Sequence, residues 1–124
     1  MSEFLTVDDV LFMHDDLINR YGGSHGLRSR ELLEAAVFRP RTGYYSDVCG
    51  EAAALWHSLS QNHPFIDGNK RVAFAATYTF LDINGLSLRA DADETWIFLD
   101  ELYATGSMTY ERLYAWLLSQ TSAE

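Results

Sequence analysis

Between Asn69 and Asn84 the chain carries Val72, Ala73, Phe74, Ala75, Ala76, Phe80, Leu81 and Ile83, which makes a helix there apolar on nearly every side. Such a helix belongs at the centre of a domain, so the rest of the chain has to supply its walls. The flanking segments carry helical spacing. Val10, His14, Leu17, Ile18 and Tyr21 share one face of a first helix, with Thr6 and Asp9 as a capping box and Gly22-Gly23 as its stop. Ser29 can cap a second, whose inner face is Leu32, Leu33, Ala36 and Val37 and which ends before Pro40. Arg39 to Val48 reads as a loop. A third helix from near Gly50 places Ala52, Leu55, Trp56 and Leu59 on one face and ends at His63, because Pro64 disfavours the α conformation before it.

After Asn84-Gly85, Asp91 or Asp93 starts a fifth helix with Trp96, Leu99, Leu102 and Tyr103 facing in, and Thr109 caps a last one with Leu113, Trp116 and Leu117 inward. No convincing period-2 strand exceeds a few residues. The expected fold class is all-α, one compact domain of about six helices over residues 1–124, with the central buried helix following His63-Pro64-Phe65-Ile66-Asp67-Gly68-Asn69-Lys70-Arg71.

Acidic residues outnumber basic ones 18 to 9, an excess that repels a phosphate backbone and disfavours direct nucleic-acid binding. Any phosphate site has to be built locally, from a few cations and backbone N–H groups. One cysteine, Cys49, cannot form an internal disulfide, and Met1-Ser2-Glu3-Phe4 shows no basic start followed by an apolar run. The expected compartment is the cytoplasm. No run approaches the roughly 18 apolar residues of a membrane span, so no membrane contact is expected.

The break before the central helix concentrates what phosphoryl transfer needs. Gly68 and Asn69 stand where a helix begins, so N–H groups there lack intrahelical partners and can point at an anion. Lys70 and Arg71 occupy the first turn, where a cation is unfavourable for the helix dipole by roughly 0.3–1 kcal/mol, and that placement argues for an anionic partner. Asp67 can hold Mg²⁺ bridging phosphate oxygens. His63 can take the proton from an attacking hydroxyl, a role worth about 10²–10⁴ in rate. Singly, Asp67 is more often a helix cap, Lys70 and Arg71 a solvated face, and Phe65 an apolar anchor; together the bland readings become improbable. His14 and His57 lie by apolar helix faces and read as core residues, His25 is too isolated for a partner, and one Cys with scattered His gives no zinc spacing.

HPFIDGNKR resembles the signature of the Fic and Doc family, His-x-Phe-x-(Asp/Glu)-Gly-Asn-x-Arg. Gly22-Gly23, Gly26-Leu27-Arg28, Glu31 to Ala36 and Arg39-Pro40 resemble the death-on-curing (Doc) branch, and the likeness runs from about Val7 to Leu118. The resemblance implies the Fic/Doc fold, His63 as general base, Phe65 as buried anchor, Asp67 as magnesium ligand, and Gly68 with Asn69 as the anion-binding turn. It also implies that Lys70 and Arg71 hold the phosphates of ATP.

Adenylylating relatives have Gly where this chain has Lys70, and commonly a second Arg where it has Phe74. Both departures match the Doc branch, which implies a toxin that moves the γ-phosphate of ATP onto a Ser or Thr hydroxyl of a translation elongation factor. Nucleotidyl transfer (AMPylation) is the alternative, and a non-catalytic binding module on the same fold is a second. The inhibitory motif (Ser/Thr)-x-x-x-Glu-(Gly/Asn) of many Fic proteins has no match, Ser107 to Arg112 failing at its last position. The resemblance therefore implies a separate, Phd-like antitoxin that inserts a helix near the active site. The 39–48 loop, with Tyr44 and Tyr45, stands where relatives have a flap that clamps the target, and tyrosines that simply cover the core are the equal alternative.

Overall fold

In a computed structural model, which describes residues 2–124, helix starts fall where short polar side chains can take up orphan N–H groups. Thr6 Oγ1 accepts from Asp9 N at 3.1 Å, and the Asp9 carboxylate accepts from Thr6 N at 2.8 Å, so the capping box opens helix α1, Val7–Tyr21. Ser29 caps α2, Arg30–Phe38, by accepting from Leu32 N at 3.2 Å. The sequence pattern treats Arg39 to Val48 as one loop. The structure instead makes Arg39–Thr42 a 3-10 turn, since Pro40 in its first turn lacks the N–H that such a position leaves unpaired anyway. Asp47 then accepts Gly50 N at 2.7 Å and starts α3, Val48–Asn62, two residues before the apolar spacing becomes visible.

Helix α4, Asn69–Ile83, packs along α3. Val72, Ala73, Ala76, Phe80 and Leu81 are buried there, and Ala52, Ala53 and Ala54 of α3 are buried too. Thr77 is buried too; its hydroxyl donates to Ala73 O at 2.8 Å and so needs no outside partner. The other apolar side, Phe74, Ala75 and Tyr78, lines an open cleft. The centre of the fold is thus buried on one side and is the wall of a cavity on the other.

A three-residue strand β1, Leu86–Leu88, follows, then α5, Ala92–Thr105, capped by Asp91, and α6, Tyr110–Gln120, capped by Thr109. Strand β2, Thr121–Ala123, pairs antiparallel with β1 in the register Leu86↔Ala123 and ties the end of the chain back to α4. Trp56 sits at the middle of the core, with its ring centroid 5.6 Å from Phe74 and 5.9 Å from Trp116. Trp96, expected to face inward, is 61% exposed. The buried stripe of α5 runs through Thr95, Leu99 and Leu102, and the residue after Thr95 is rotated about 100° round the helix, into the cleft. Among the described residues no helix is long and apolar enough to cross a membrane.

Candidate active site

The cleft walled by α4 and α5 has a volume of about 1160 Å³, and residues from His63 to Arg71 form one end of it. Six of the seven residues predicted for the site, His63, Asp67, Gly68, Asn69, Lys70 and Arg71, reach its lining. The seventh, Phe65, is buried beneath them. Its ring stacks on His14 with centroids 3.7 Å apart, and the His14 imidazole also hydrogen-bonds the carbonyl of Asp67 at 2.7 Å. A carbonyl only accepts, so Nε2 of His14 carries the hydrogen.

Asn69 braces the loop from inside. Its carboxamide accepts Phe65 N and donates to Phe65 O, both at 2.9 Å, closing a ring that fixes the turn. That side chain is therefore committed to the backbone, and what Asn69 can offer an anion is its own N–H. Gly68 adopts φ 75°, the left-handed region in which a Cβ is strained, and a Cβ there would also meet Ile18 Cδ1 at 3.2 Å. The sequence pattern has the N–H groups of both Gly68 and Asn69 face an anion. The structure turns the Gly68 N–H back onto Asp67 Oδ1 at 2.8 Å, so the free donors start one residue later, at the first turn of α4, which has no side-chain cap.

Asp67 is set by two backbone donors, Ser24 N to Oδ2 at 3.0 Å and Gly68 N to Oδ1. These N–H groups, with the Arg71 charge, hold its carboxyl below the usual carboxylate range and keep it ionised. Each oxygen retains a further lone pair, and the group is exposed beside a helix start. Among the described residues no cluster of three or more His, Cys, Asp or Glu gathers to cage an ion. A single exposed carboxylate is a hard oxygen donor of the kind that Mg²⁺ takes beside phosphates and water.

Both cations of the site rest on aromatic rings. Lys70 Nζ lies 4.2 Å from the Tyr103 centroid and the Arg71 guanidinium 5.0 Å from that of Tyr21. Neither ring was singled out as part of the site by the sequence, because Tyr21 and Tyr103 read as helix-face apolar residues.

The segment from Gly22 to Ser29 is the unexpected support. Ile66 N donates to Gly26 O at 3.1 Å, Arg28 N and Ser29 N both donate to Pro64 O, and Leu27 bridges Phe65. Gly26, at φ 128°, passes so close that a Cβ would stand 2.6 Å from Ile66 Cδ1. The sequence marks the glycines of this segment as a helix stop and as part of the Doc likeness, not as a support of the loop. His25, without a partner in the sequence reading, pairs with Asp15 at 2.8 Å. Tyr44 and Tyr45 meet edge to face, and Tyr45 is held by Arg39 Nε at 2.8 Å.

The model of the Fic/DOC family matches residues 4–81. The chain is 44% identical over 98 residues to a protein named Toxin Doc from Mycolicibacterium smegmatis, covering 75% of this chain and 73% of that one. It is 30% identical over 88 residues to one named Protein kinase doc from Escherichia phage P1, covering 68% and 70%. The chain therefore belongs to the Fic/DOC family, as a toxin of the Doc type.

Proposed function

We propose that this chain blocks translation in the cytoplasm by transferring the γ-phosphate of ATP to a Ser or Thr hydroxyl of a translation elongation factor. The observation that carries this reading is a single end of one cleft lined by the His63 imidazole, the ionised Asp67 carboxylate and the uncapped start of α4 with Lys70 and Arg71. In that reading His63 takes the proton of the incoming hydroxyl. The new oxygen–phosphorus bond forms as the bond from the γ-phosphorus to its bridging oxygen breaks, and ADP leaves with the electron pair. Lys70, Arg71 and the first N–H groups of α4 offset the negative charge of the phosphates. Asp67 would hold Mg²⁺, which would supply positive charge to offset that of the phosphates. The name of the phage relative supports a kinase, and so does Lys70, whose side chain stands where adenylylating relatives have none.

A separate antitoxin is the proposed restraint, as the name of the mycobacterial relative supports. The apolar wall of Phe74, Tyr78, Trp96 and Leu99 fits one face of a Phd-like helix.

Incubation of the protein with a cell extract and either γ-labelled or α-labelled ATP tests the reaction. Label on a protein band from the γ position alone is the expected result, and label from the α position alone replaces the kinase with a nucleotidyl transferase. His63→Ala abolishes either activity; toxicity that persists without modification in that variant leaves only a binding module.

A further inference from the structure

Helix α3 ends on an unusual arrangement. His63, its C-cap, has φ 46° and ψ 58°, and among the described residues it alone has positive φ without being glycine. A left-handed cap is ordinarily closed by N–H groups of the residues that follow it. Here the next residue is Pro64, which has none, and a residue before proline prefers an extended backbone. The local sequence thus opposes the conformation that His63 adopts.

What opposes relaxation comes from outside the helix. Arg28 Nε donates to His63 O at 2.7 Å and its Nη2 to Asn62 O at 2.8 Å. Its own backbone N–H donates to Pro64 O at 2.7 Å. One residue therefore receives three successive carbonyls, and its planar fork binds two of them at a helix C-terminus, where a cation also suits the dipole.

We infer that Arg28 is a positioning residue for the transfer reaction: its guanidinium holds the left-handed backbone of His63 and so keeps the imidazole at the cleft. This rests on the reading of His63 as the base. Without the fork, residue 63 relaxes toward the extended region and the imidazole leaves its place, while the first turn of α4 and the Asp67 loop, held by Asn69, His14 and Ser24, are untouched.

Arg28→Ala, Arg28→Lys and His63→Ala, made in the full chain, test it by γ-phosphate transfer. The expected result for Arg28→Ala is a kcat lowered by about 10²-fold, the scale of a misplaced catalytic group, at an unchanged KM for ATP. Added guanidinium ion restores part of that kcat, and does not do so in His63→Ala. Arg28→Lys keeps the charge but not the fork, and falls between; it carries the test if Arg28→Ala does not fold. The three-bond coupling between the His63 amide and α protons reads φ without activity, and it shifts toward the extended value in Arg28→Ala. Wild-type kcat in Arg28→Ala with an inactive His63→Ala overturns the clamp, as does an unshifted coupling or a kcat loss that guanidinium leaves alone and KM shares. Full activity in His63→Ala instead overturns the base assignment, and the coupling then decides the clamp by itself.

Discussion

The imidazole of His14 donates to the carbonyl of Asp67 across 53 residues of sequence, at 2.7 Å, from the same helix α1 whose Tyr21 ring lies under Arg71. Because the His14 ring stacks on Phe65, α1 sets the height of the loop that presents Asp67. His14 is only 4% exposed, so its removal takes away a hydrogen bond, an aromatic contact and buried volume together. His14→Ala is expected to lower stability by about 2–4 kcal/mol, from the summed scale of those terms, and to slow transfer as the loop drops. The denaturant midpoint and the γ-phosphate transfer rate check both.

Lys70 is pre-placed by the face of Tyr103, whose hydroxyl lies 3.4 Å from Ser60 Oγ. The ring, not the hydroxyl, holds the ammonium group. Tyr103→Phe is therefore expected to leave the affinity for ATP near its starting value, whereas Tyr103→Leu weakens it by about 2- to 30-fold, corresponding to about 0.5–2 kcal/mol of cation–π attraction. Equilibrium binding of ATP to the two variants distinguishes them.

His63 sits in a left-handed backbone that costs a residue bearing a Cβ about 1–2 kcal/mol. Glycine removes that strain but loses about 0.5–1 kcal/mol in chain entropy. His63→Gly is expected to be at least as stable as the starting protein while having no transfer activity. Thermal unfolding beside the labelled-ATP assay measures the two, and a clear drop in melting temperature would contradict the strain.

His57 is half-buried, and its Nδ1 stands 2.9 Å from Arg39 Nη1, which donates to it. Burial, and after it the Arg39 charge, lower the pKa of His57 below the ordinary 6.5, with Glu111 opposing. The unfolded chain thus binds the proton more readily than the folded one. Stability contributed here is complete above pH 6.5 and declines as pH falls through the window between 6.5 and the lower folded value. His57→Gln is expected to flatten that decline, read from unfolding midpoints at a series of pH values. Asp67, also depressed, loses its contribution only below the ordinary carboxylate value of 3.8, so the two steps are separable.

On α6, Tyr114 donates to Asp47 Oδ2 at 2.7 Å, and that bond to a carboxylate pushes its pKa up to about 12. Tyr114→Phe is expected to leave phenolate titration of the folded chain without its most alkaline step, as followed by absorbance above pH 10.

How much of this was legible follows the range of the interactions. Thr6, Ser29, Asp91 and Thr109 announce their helices because each cap bonds an N–H three residues away, inside the window that a sequence pattern spans. The candidate site was legible for the same reason, its residues being contiguous from His63 to Arg71. Trp96 was misplaced because helical spacing gives neighbours on a helix, not which stripe the rest of the chain covers. The pair β1 and β2 was missed because three-residue strands separated by α5 and α6 carry no periodic signal.

By itself, then, the amino-acid order determined six helices, an acidic surface and the chemical groups of the candidate turn from His63 to Arg71, because hydrogen bonds between near neighbours and helical spacing decide those. Only the tertiary structure decided that one side of α4 stays open as a cleft, that Tyr103 and Tyr21 carry the two cations, and that His14, Ser24 and Arg28 hold the turn in place. Those relations join groups far apart along the chain, and only packing around a common core brings them within bonding distance.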